Sequence, residues 1–72
     1  YLQLAKEELE NAKVLAAKGD KEQAESILLR AQADAELAVA LSRGDAAKKE
    51  ATQALERVRK LRQDNQLPQE RK

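Results

Sequence analysis

The stretch "LSRGDAAK", Leu41 to Lys48, decides how this chain folds. Either a helix runs through Gly44 or it stops there, and the two readings give molecules of different length. A glycine inside a helix costs only about 1 kcal/mol against alanine. Three residues after Asp45 stands Lys48, where a capping box would have Glu or Gln. The apolar pattern also crosses the stretch in phase. Ala33, Ala40, Ala47, Ala54 and Leu61 recur every seven residues, with Leu37, Gly44, Ala51 and Val58 between them in the four-three rhythm of a coiled coil. The pattern therefore predicts one long helix from Asp20 to about Asn65; the alternative is a three-helix bundle broken at Gly44. A helix of about 45 residues would extend roughly 68 Å.

Upstream, "KGDKEQ", Lys18 to Gln23, carries the same Gly-Asp dipeptide with stronger turn signals. Gly19 can adopt the left-handed conformation that closes a helix, Asp20 can cap the next one, and Gln23 completes a capping-box pattern. Before this turn, Leu2, Ala5, Leu9, Ala12, Leu15 and Ala16 recur at helical spacing, which predicts a first helix over about 1–18. So tight a corner makes the two helices antiparallel neighbours.

The second helix begins with Ala24, Ala31 and Ala38, spaced by seven and accompanied by Ile27, Leu28 and Ala35. This face is expected to meet Ala5 and Ala12 of the first helix. Small side chains in register let two backbones approach at the short end of the roughly 8–10 Å range of helix packing, and that closeness recovers the dispersion contacts that bulk would otherwise supply. The expected fold class is all-α: an antiparallel helical hairpin over 1–65 with a long second helix, alanine-rich coiled-coil packing, and a polar tail over 66–72 that contains Pro68 and frays.

Composition agrees. Of 72 residues, 42% are hydrophobic and 38% charged, with no Cys, His, Met, Trp or Phe. A chain this short buries a thin core and often needs a partner for stability. A long second helix, covered only in part by the first, would leave its column from Ala33 to Leu61 for another chain. A homo-oligomer, dimer or larger bundle, is therefore expected. Charge is uneven: residues 1–42 carry five basic and eight acidic groups, and residues 43–72 carry nine basic and five acidic. The acidic half is expected to lie against the basic half, within a chain or between chains.

The chemistry-bearing patterns are few. Arg57, Arg59, Lys60 and Arg62 form a basic cluster near a helix end, a possible contact for a polyanion or nucleic acid. Without aromatics for stacking, and with a net charge of +1, a solvated face whose cations suit the helix dipole is the expected reading, and no nucleic-acid partner is expected. Asp34 and Glu36 are two apart on a helix, point in different directions and have no His beside them, so they are expected to be solvated. "RGD", Arg43 to Asp45, matches an integrin-binding tripeptide, but three residues recur by chance and a helix is expected there. Ser26, Ser42 and Thr52 lack a histidine base. No catalytic set, cofactor or metal is expected, and no run is long enough to span a bilayer.

The run "LAKEELENAKVLAAKGDKEQAESILLRAQADAELAVALSR" resembles the bacterial family catalogued as domain of unknown function 4398. Gly19, Asp20, Ala24, Leu28, Ala31, Asp34, Ala35, Leu37 and Ala38 match its pattern of a leucine-alanine helix, a Gly-Asp corner and a following "ADAELA" segment. Gly44 departs from that family's usual charged helix. The resemblance implies a small periplasmic envelope protein of Gram-negative bacteria, tethered to the outer membrane by a lipid anchor upstream of Tyr1, sometimes joined to an OmpA-like peptidoglycan-binding domain, with an envelope protein as partner and no activity to carry over. The alternatives are a cytoplasmic tetratricopeptide-like adaptor, whose repeat period of about 34 residues the Gly-Asp spacing of 25 does not match, and a weak polyanion binder.

Overall fold

A computed structural model describes residues 1–65; the tail over 66–72, with Pro68, lies outside the described residues. Among the described residues there are three helices and no strand: α1 (Leu2–Ala17), α2 (Lys21–Leu41) and α3 (Asp45–Asp64).

The first corner closes α1 through backbone geometry. Gly19 sits at φ 88°, its N–H donates to the Ala16 carbonyl at 3.0 Å, and the Asp20 N–H donates to the Leu15 carbonyl at 2.9 Å. These two bonds are the Schellman closure, which occupies carbonyls that the helix end leaves over. The Asp20 carboxylate then accepts the Gln23 N–H at 3.2 Å and caps α2. The reciprocal half of the expected capping box has no free donor, because the Asp20 amide is committed to Leu15.

The second corner corrects the continuous helix. α2 stops at Leu41, and Ser42 turns extended at φ −69°, ψ 145°. Its hydroxyl donates to the Val39 carbonyl at 2.9 Å, serving a helix-end acceptor. Gly44 stands at φ 83°, ψ 157°, a region essentially restricted to glycine. A Cβ at Gly19 or Gly44 would meet nothing within 4 Å, so each position needs a backbone conformation rather than space. The described residues extend 43 × 23 × 14 Å, well short of the roughly 68 Å of an unbroken helix. "RGD" therefore lies at an exposed corner instead of inside a helix.

The physical reason is burial within one chain. Ala51, Ala54, Leu55 and Val58 of α3 are buried. Folding back at Gly44 covers them without the translational and rotational entropy that a partner chain would cost. Two clusters make the core. Leu9 and Ala12 of α1 meet Ala24, Leu28 and Ala31 of α2 and Val58 of α3; Ala5 meets Ala35 and Leu55.

Candidate functional site

Three side-chain arrangements stand out from this frame, and the first two are built from residues distant in sequence. The first joins α1 to α2. Glu8 follows the core side of α1 between Ala5 and Ala12, and Asp34 lies beside buried Ala35 on α2. Glu8 is half-buried, and its Oε1 is shielded from water without a hydrogen-bond partner. Burial first, and then a hydrogen bond and like charge from Asp34, push its carboxyl from the ordinary 4.5 up to about 7; Glu7 adds to the rise and Arg30 opposes it. Burial and a like charge nearby both disfavour the ionised form, so the Glu8 carboxyl keeps its proton to a higher pH than an exposed glutamate does. Asp34, expected to be solvated from its spacing to Glu36, is half-buried, because α1 brings Glu8 up beside it.

The second arrangement ties α3 to α2. The Arg62 guanidinium donates from Nε to Glu25 at 2.8 Å and from a terminal nitrogen to the Gln32 side-chain oxygen at 2.7 Å, with a second nitrogen 2.7 Å from the same Glu25 oxygen. Arg59 lies 3.8 Å from Glu36. Two of the four cations considered for polyanion contact are therefore turned toward α2, while Arg57 and Lys60 remain exposed. Asn65 closes this end: it caps α3 and is buried, and its side-chain amide donates to the Lys21 carbonyl at 3.0 Å.

The third is the outer face of α2. Ala24, Ala31 and Ala38 are buried, but Ala33, Leu37 and Ala40 are exposed, as is Ala47 on α3. The seven-residue column expected to form one seam is thus split: Ala51, Ala54 and Val58 lie in the core and Leu61 packs against it half-buried. Leu29 and Leu41 join the exposed set at 50% and 61%, and Leu37 is 42% exposed. α1 and α3 cover the opposite side of α2 and leave this stripe open.

Among the described residues, no group of three His, Cys, Asp or Glu side chains could hold a metal ion, and no helix is long and apolar enough to cross a membrane. No family model, curated protein or solved structure matches the chain.

Sequence reasoning did not find the Glu8–Asp34 or Arg62–Glu25–Gln32 groupings. Glu8 and Asp34, both in the acidic part of the chain, left no trace; the Arg62 grouping left only the charge imbalance between the two parts. It anticipates Arg59 with Glu36 and Arg62 with Glu25, but not Lys6 with Glu50 at 2.9 Å, where the signs are reversed.

Proposed function

We propose that this chain is a non-enzymatic structural or interaction module of the bacterial cell envelope, self-associating through a small-residue helix face. In this reading α1 and α2 form an antiparallel, alanine-seamed hairpin with α3 folded against it, and the outer face of α2 is the contact surface. The observation that carries it is the exposed run of Leu29, Ala33, Leu37, Ala40 and Leu41 along one side of α2. A small domain with a thin alanine core has little stability to spare, and an apolar helical stripe is a surface that association would cover.

The envelope location rests on the resemblance of the Gly-Asp corner and "ADAELA" segment to the 4398 family. Engagement of Arg62 and Arg59 with α2 carboxylates weighs against polyanion binding, since cations already paired release fewer counterions on meeting phosphate.

Light scattering coupled to size exclusion, run over a wide range of concentration, tests the self-association. A mass rising toward that of a dimer or larger species supports it, and a monomer at every concentration overturns it. Fractionation of cells expressing the full-length gene tests the location, with recovery in the cytosol as the adverse result.

A further inference from the structure

We infer that the occupant of the outer α2 face is the same face of a second copy, the two α2 helices running antiparallel with Ala33 on the two-fold axis. This rests on the self-association proposed above and specifies its geometry. An isologous interface requires a patch that is complementary to itself. The exposed stripe has that property: four residues to either side of Ala33 stand Leu29 and Leu37, and seven to either side stand Ser26 and Ala40, all exposed. The order small–Leu–small–Leu–small reads the same in both directions.

In the antiparallel pair, Leu29 of one copy faces Leu37 of the other, Ser26 faces Ala40, and the two Ala33 residues meet where the backbones come closest. Small residues at the centre and both outer levels permit the approach, and the leucines between them supply the buried apolar area.

Charge selects the direction. Arg30 and Glu36, both exposed, flank Ala33 at three residues on either side. Antiparallel pairing brings Arg30 of each copy level with Glu36 of the other, about 4.5 Å along the axis from the centre. Parallel pairing would set Arg30 level with Arg30 and Glu36 level with Glu36, which is repulsive at both places. The contacts Glu36 already makes, with Gln32 at 3.2 Å and with Arg59 at 3.8 Å, leave its carboxylate able to accept another donor. A single helix pair lies at the small end of specific interfaces, so the dimer is weak and concentration-dependent.

The chain has no cysteine, which makes disulfide trapping clean. Ser26→Cys and Ala40→Cys chains are prepared separately and mildly oxidised alone and mixed. The expected result is a cross-linked dimer in the mixture and little in either chain alone, because like positions lie about 21 Å apart along the axis, well beyond disulfide reach. Cross-linking of Ser26→Cys with itself would overturn the antiparallel direction. Absence of the mixed product while the wild-type chain is a dimer by light scattering would overturn the register and leave self-association standing. As a second arm, Arg30→Glu and Glu36→Arg chains should each dimerise several-fold more weakly than wild type alone and recover on mixing. Failure of the mixture to recover would count equally against the arrangement.

Discussion

The two Gly-Asp corners are the same dipeptide used in different registers. At the first, Gly19 follows the end of α1, its positive φ completes the helix closure, and Asp20 stands outside α2 as its cap. At the second, Gly44 itself occupies the capping position before α3, and Asp45 is already the first helical residue, with no side-chain cap bond at that helix start. One glycine ends a helix and the other begins one. A glycine at positive φ thus breaks the chain's helical course in either role, while the aspartate after it matters only where it falls outside the helix. The interfaces that follow also differ. Where α1 meets α2, burial and the nearby Asp34 raise the Glu8 carboxyl, and α3 is joined to α2 by ion pairs from Arg59 and Arg62.

The largest expected effect breaks the second corner. Gly44→Ala should lose about 1–3 kcal/mol, since its backbone region is essentially closed to other residues. Gly19→Ala should lose about 1–2 kcal/mol, the cost of a left-handed conformation with a Cβ. Urea denaturation measures both, and small-angle scattering on Gly44→Ala reports whether α2 and α3 straighten into the elongated form. Unchanged stability in Gly44→Ala would show that the corner does not depend on glycine.

Next in size is a pH effect that separates the two interfaces. The Glu8 carboxyl is raised from 4.5 to about 7 in the folded chain, so the native state holds a proton that the unfolded state has released. Its contribution is fully present below about 4.5 and is lost as pH rises through about 7. The melting temperature should therefore rise by several degrees between pH 8 and pH 5, with no His or Cys titrating over the same range. Glu8→Gln should flatten this dependence. If wild type and Glu8→Gln show equal slopes, Glu8 is not the group whose protonation stabilises the fold. Salt should weaken the α3 side instead, by screening the Arg59 and Arg62 pairs.

The smallest effect compares the aspartates directly. Asp20→Ala should cost about 1 kcal/mol, the usual value of an N-cap side chain. Asp45→Ala should cost only about 0.3–0.5 kcal/mol, because its carboxylate only complements the helix dipole. Equal losses in thermal or chemical denaturation would mean that the two corners are capped alike.

The first corner was legible because all its signals agree: Lys18-Gly19-Asp20 followed by Gln23 ends one amphipathic pattern and starts another. The second was misread because its signals conflict, with a continuous seven-residue column opposing a glycine that local chemistry tolerates. Alanine carries most of that column, and alanine does not demand burial. Ala33, Ala40 and Ala47 remain exposed while Ala51 and Ala54 are covered. The paired groups were hidden for another reason. Glu8 and Asp34, or Arg62 and Glu25, become neighbours only when helices fold onto one another, and nothing local in their spacing records that.

The sequence by itself determined that the chain is helical, where its first turn falls and which alanines face inward in α1 and early α2, because capping chemistry and helical periodicity act over a few residues. Only the tertiary structure decided the break at Gly44, the placing of α3 against α2, the raised Glu8 carboxyl beside Asp34 and the outward stripe around Ala33. Those outcomes depend on how much surface one chain can bury against itself, a sum over contacts between distant segments that no short stretch contains.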